Sequence, residues 1–260
     1  MADKQPLIKL NPIPDEITNA LLKPAADTLG NAANDILSAG FNLILTPLRK
    51  YNIRSDKELK DFADKINAET SSIPDVHRDG SKVSLILKAV DDSKYRLDDE
   101  FMREAFARLI ARGLDNRAKT HFYPAYSDML ANMSVDEAVF LTKLVHNTAK
   151  RLPTGKVNLK AKDNSTRTKS PIIPLWDNPR EYNSNFSISI DLLKGTGLID
   201  VLSDAWLTSK HFENLYKEFE NSSSFALYAA NGRNEGEVAE LEKGYIKLTD
   251  VGDSFVRFIV

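Results

Sequence analysis

The chain has 260 residues, room for one large domain or two smaller ones, and its 42 % hydrophobic and 28 % charged residues are the balance of a globular protein able to bury a core. Its net charge of −2 gives no global pull toward nucleic acid or an anionic membrane. Cysteine is absent, which excludes disulfides, thiolate metal sites and cysteine nucleophiles. The opening MADKQPLIKLNPIPDE lacks the uninterrupted apolar core of a secretory signal, and no apolar run reaches the roughly 18 residues of an ordinary transmembrane helix.

From 15 to 50 apolar residues recur near every 3.6 positions, the period of a helix. Ile17, Leu21, Ala25, Ala32, Ile36 and Leu43 make one stripe, and Leu22, Leu29, Leu37, Phe41, Ile44 and Leu48 lie on the adjacent one. Pro24 and Pro47 break or kink this helix near its ends. Between them Asp27 and Asp35 are the only charges. So wide an apolar face has two readings. It is either a helix packed in the protein's own core or a face, carried by Leu29, Ile36, Leu37, Phe41, Ile44 and Leu48, that meets a membrane or a partner. A polar side without Lys or Arg favours the core.

The following elements are helical in their grammar. Ser55 with Glu58 forms a capping box opening a helix to Ile66. Residues 69–80 read as a loop. Val83 to Val90 is short and apolar, and its helical neighbours favour helix over strand. Asp98 or Asp99 caps a helix with Phe101, Ala105, Phe106, Leu109 and Ile110 at helical spacing and Gly113 as C-cap. His121 to Met133 forms the next helix, and Ser134 with Glu137 opens another through Lys150.

The order of these parts resembles the abortive infection alpha family of bacterial phage-defence proteins. The resemblance rests on Phe101, Ala107, Leu109 to Ala111, Asp115, His121, Tyr126, Leu130, Ser134 and Asp136 to Ala138, over about residues 15–150 with a weaker echo at the C-terminus. It implies antiphage defence with no known catalytic reaction.

Residues 150–171 hold seven Lys or Arg and one Asp with few large apolar residues, and read as an exposed loop. Lys150, Arg151, Lys156, Lys160, Lys162, Arg167 and Lys169 are the candidate contacts to phosphates or lipid head groups. Beyond them, Phe186 to Lys194 predicts a helix and 204–220 another, Phe225 to Ala230 and Tyr245 to Leu248 predict a hairpin, and Thr249 caps a last helix. This order resembles the end of a winged helix. Its hairpin loop carries Glu235, Glu237, Glu240 and Glu242, the wrong sign for a DNA wing.

Chemistry is sparse. None of His77, His121, His146 and His211 has a partner at metal-site spacing. The run His77, Arg78, Asp79 lacks the rest of a kinase pattern. The expected architecture is mostly α: a helical domain over 1–150, a basic exposed linker over 151–180, and a small α+β winged-helix-like unit over 181–260. The expected function is non-catalytic defence by binding a membrane lipid, a phage component or a co-encoded protein, as a homo-oligomer or alone, with no metal or cofactor. The alternative is a nucleic-acid-binding winged-helix regulator. The expected location is the cytoplasm, with a peripheral position at the inner membrane left open.

Overall fold

A computed structural model of the chain describes residues 56–79, 81–118, 122–147, 150–178, 182, 184–231 and 233–260. The long apolar pattern of 15–50, its face from Leu29 to Leu48, the cap at Ser55 and His121 lie outside the described residues. The chain divides into two compact units, Met1–Asp128 and Met129–Val260.

The first unit is helical. α1 (Asp56–Ser71) and α2 (Val83–Ser93) both pack on α3 (Glu100–Gly113). Apolar residues recurring at three and four positions bury one face of each: Phe62 and Ile66 on α1, Ile86 and Val90 on α2, Met102, Phe106, Leu109 and Ile110 on α3. Asp99 caps α3 as expected, its Oδ1 accepting from the Met102 N–H at 3.0 Å. Arg103 donates to Asp61 at 2.7 Å and Lys65 to Glu104 at 3.0 Å, tying α1 to α3. Val83 to Val90 is helical, as its neighbours suggested. Gly113, expected as the C-cap, is instead the last helical residue, followed by Leu114 in αR conformation. It is small because Phe122 lies against it, 2.8 Å from where a Cβ would sit. α4 (Ala125–Asn132) spans the division between the units.

The second unit is not a winged helix. It opens with α5 (Val135–His146), whose capping box holds: the Glu137 N–H donates to Ser134 Oγ at 3.3 Å and the Ser134 N–H to Glu137 Oε2 at 2.5 Å. There follow β1 (Arg151–Lys160), β2 (Thr166–Thr168), β3 (Ile173–Pro174), α6 (Ser187–Gly195), β4 (Ile199–Leu202), α7 (Lys210–Glu220), α8 (Ser223–Ala230), β5 (Val238–Leu248) and α9 (Asp250–Ile259). All the described strands join one antiparallel sheet in the order β2-β1-β5-β4, with β3 also on β1. The sheet curls as a half-barrel, and 53 % of the described residues are helical and 17 % in strands. The protein is therefore mixed α/β, not mostly α.

Two segments differ from the sequence expectation. The segment expected as an exposed basic linker contains β1, whose Leu152 to Gly155 and Val157 to Leu159 are buried. Its lysines alternate with apolar residues, so charge lies on one face while Val157 and Leu159 enter the core on the other. Pro153 interrupts nothing, since its carbonyl still accepts from the Leu175 N–H at 2.9 Å. Second, 223–230 is helix, not strand. Ser222 accepts from the Phe225 N–H at 3.1 Å, an N-cap, and Phe225, Tyr228 and Ala229 meet the core at helical spacing. With no strand there, β5 takes its partners from β1 and β4 instead.

The sheet's inner face packs on α7 and α8 through Val157, Ile173, Leu175, Tyr182, Tyr216 and Phe219. Gly155 is required for this contact: a Cβ would sit 2.8 Å from both Phe219 and Leu241. On the other face Leu152 and Ile246, directly opposite each other, are fully buried. α9 packs on β5 and α5, and α6 on β4 and α5. Gly252 in α9 lies where a Cβ would be 2.0 Å from the Leu198 carbonyl oxygen.

Candidate functional site

Antiparallel neighbours that face each other across a ladder put their side chains on one side of the sheet. The β1–β5 register places Lys156 opposite Glu242 and Asn158 opposite Glu240. The basic run and the acidic run, separated by more than seventy residues on average in chain order and by one strand spacing in the fold, thus meet as a charged outer face. Lys156 Nζ lies 3.2 Å from Glu242 and Lys160 Nζ 3.5 Å from Glu240. Asn158, 9 % exposed, donates through Nδ2 to Glu242 Oε2 at 2.7 Å, while its Oδ1 has no partner.

At the end of this ribbon Arg167 from β2 grips Glu237 through both Nε (3.0 Å) and Nη2 (2.6 Å). The same carboxylate accepts from the Asn234 N–H at 2.7 Å and so fixes the turn into β5. Lys150, with a positive φ of 50°, reaches Asp253 in α9 at 2.7 Å. The electrostatics follow from the contacts. The Arg167 guanidinium and the Asn234 amide hold the Glu237 carboxyl below its usual range. Burial pushes Glu242 up, but the Asn158 amide and the Lys156 ammonium outweigh it and leave it lowered. Lys150 and Arg257 lower Asp253.

Of the seven expected anion contacts, Lys150, Lys156, Lys160 and Arg167 therefore face carboxylates of the protein itself. Lys162 lies in the turn after β1, its methylene end against Gly236. Arg151 is exposed at the start of β1, opposite Lys247. Lys169 is half-buried and its backbone N–H donates to the Val157 carbonyl at 2.8 Å. The structure pairs four of the set with carboxylates: Lys156 and Lys160 on the β1–β5 ribbon, Arg167 from β2 at its end, and Lys150 just before β1. Their carboxylate partners, Glu237, Glu240, Glu242 and Asp253, were missed because the sequence reads as an acidic wing and a helix start there.

The described histidines serve local bonds. His77 Nδ1 meets Asn116 at 3.1 Å, His146 Nδ1 meets the Thr142 carbonyl at 2.7 Å, and His211 lies 3.2 Å from Asp177. Among the described residues no group of three His, Cys, Asp or Glu could hold a metal ion, and no helix is long and apolar enough to cross a membrane.

Comparison with known proteins points one way. No curated protein matches the chain. Among solved structures it is similar to an uncharacterized protein from the hydrocarbon-degrading marine bacterium Alcanivorax borkumensis SK2, at 12 % identity and a TM-score of 0.35, over 55 % of this chain and 94 % of that one. A likeness of that size carries no argument about fold or function. The family model for abortive infection alpha matches residues 54–259. The match runs through the sheet unit to α9, farther toward the C-terminus than the expected 15–150. With most of its length so matched, the chain belongs to the abortive infection alpha family.

Proposed function

We propose that this protein acts in bacterial antiphage defence by the abortive-infection route, without catalysis, through binding a membrane, a phage structure or a partner protein. The match of residues 54–259 to the family carries the reading. The charge pattern supports a specific association over general attraction to anions, since four of the seven basic residues already face carboxylates and the net charge is −2.

The test is the plating of a phage panel on a bacterial host that expresses the chain. Fewer plaques, with arrest or death of infected cells at high multiplicity, is the expected result. Equal plating of every phage with and without the protein would sink the reading. The route is then separated by mixing purified protein with anionic vesicles and reading dye release and co-sedimentation on one sample. Release assigns the action to the membrane. Neither release nor sedimentation assigns it to a phage or host protein.

A further inference from the structure

β5 is longer than the strand beside it. β1 lines one edge of β5 from Val238 to Lys247, whereas β4 lines the other only from Tyr245 to Leu248. The ladder fixes which backbone groups look outward over the rest. On β1 the carbonyls of Pro153 and Val157 accept from Leu175 and Lys169 on the β2–β3 side. The even-numbered residues of β1 are then those that exchange bonds with β5. Their partners in the register are the even-numbered residues of β5. Ala239, Leu241 and Lys243 therefore turn their N–H and C=O groups to the opposite edge. The bond from the Thr249 N–H to the Leu198 carbonyl, on the β4 side, gives the same parity independently. Among the described residues nothing bonds to these groups.

The row is bounded at both ends. The Glu237 carbonyl accepts from Arg233 Nε at 2.7 Å, and at Gly244 the Leu202 carbonyl oxygen is 2.4 Å from where a Cβ would sit. An unpaired strand edge is usually blunted by Pro, by a bulge or by a covering element. There is no Pro within 239–243, and no described strand or helix bonds along it. The side chains along it are of two kinds. Ala239 and Leu241 lie against the apolar cluster of α7 and α8, and Glu240 and Glu242 stand on the outer face. Trp206, 53 % exposed, stands in the segment that leaves β4 where the open edge begins.

We propose that the edge of β5 at Ala239–Lys243 takes an extended strand from a partner protein, in which apolar residues alternate with Lys or Arg. Its backbone completes the open ladder. Its apolar side chains extend the Ala239–Leu241 side, and its cations meet Glu240 and Glu242 from the side opposite Lys160 and Lys156. A second copy of this chain is a poor occupant. In a two-fold antiparallel pair the register that satisfies all three open residues sets Leu241 on Leu241, and so lays Glu240 opposite Glu242 twice. The inference goes beyond the association reading above, since the edge is a property of the sheet that a membrane route neither needs nor removes.

The test uses the full chain, amide hydrogen exchange, and three synthetic peptides: one alternating valine with lysine, its valine–glutamate counterpart, and the first with alternate amides N-methylated. The lysine peptide should slow exchange at Ala239, Leu241 and Lys243, and the other two should not. Ala239→Pro removes one outward donor without touching the β1 ladder and should weaken binding roughly tenfold. Should that variant not fold, Glu240→Lys still decides, because it should shift preference toward the glutamate peptide. Unchanged exchange at saturating peptide, or equal binding of all three peptides, would overturn the proposal. So would amides already protected in the dilute chain, which assigns the edge to the protein's own N-terminal segment. Protection that grows with protein concentration alone would assign it to a second copy and overturn the proposal as well.

Discussion

The helical unit before Met129 and the sheet unit after it are held by bonds of different reach. In the first, α1 and α3 are joined by Arg103 to Asp61 and Lys65 to Glu104, 42 and 39 residues apart. In the second, Lys156 meets Glu242 across 86 residues and Lys150 meets Asp253 across 103. The first unit can assemble from neighbours, with α3 beginning at its own Asp99 cap. The second has a central ribbon in which neither strand has its main partner until the other is present. Helices declare themselves in short windows, whereas strands are defined by what lies beside them.

That contrast can be broken or sharpened by substitution. The largest effect belongs to the inner face of the sheet. Phe219 is fully buried with its ring edge-on to Tyr182 at 5.6 Å and Phe225 at 5.8 Å, so Phe219→Ala should cost about 3–5 kcal/mol in urea unfolding. Gly155→Val is the sharper test. Local propensity says valine strengthens a strand. Contact says it collides with Phe219 and Leu241 and costs about 1–3 kcal/mol. A stabilised variant would mean that β1 obeys its own sequence after all. Ser134→Ala breaks a purely local device, the capping box of α5, and should cost about 1 kcal/mol.

The carboxylates Glu237, Glu242 and Asp253 all have folded values below their ordinary ones. A lowered value stabilises the fold above the unfolded pKa, near 4 for these groups, and the gain is lost as pH falls through the folded values. The melting temperature should therefore hold from neutral pH to about 5 and drop below about 4, and Glu242→Gln should make the drop shallower. Arg151→Ala, at an exposed strand end with no ion pair among the described residues, should shift stability by less than about 0.5 kcal/mol.

The difference in reach also explains what was legible. Asp99, the Ser134–Glu137 box and the Thr249 cap are contacts within three residues, and each holds in the structure. Phe225 to Ala230 misled because its aromatic and apolar run suits a strand, and only Ser222 marks it as a helix start. The basic run misled because charge outweighed the alternation of Leu152, Val157 and Leu159, with Pro153 and Gly155 adding turn residues to the picture. The paired face could have been suspected from one sign: cations at Lys156 and Lys160 and acids at Glu240 and Glu242 each fall on positions of one parity. Nothing in the sequence marks the backbone edge at Ala239–Lys243, since it exists only because β4 stops short at Leu202.

The β1–β5 ribbon has a consequence for the chain as it is made. When β1 leaves the ribosome its principal partner, β5, begins 78 residues after Lys160 and is not yet synthesised. Until then one side of β1 is unpaired, and Val157 and Leu159 lack the strand they sit beside. A nascent chain stopped anywhere between Lys160 and Val238 carries that exposed side with it, a surface prone to sticking to other chains. Premature termination in this stretch should thus yield aggregates and not a shortened working protein, and the yield of folded protein should depend on the pace at which residues 160–248 are translated.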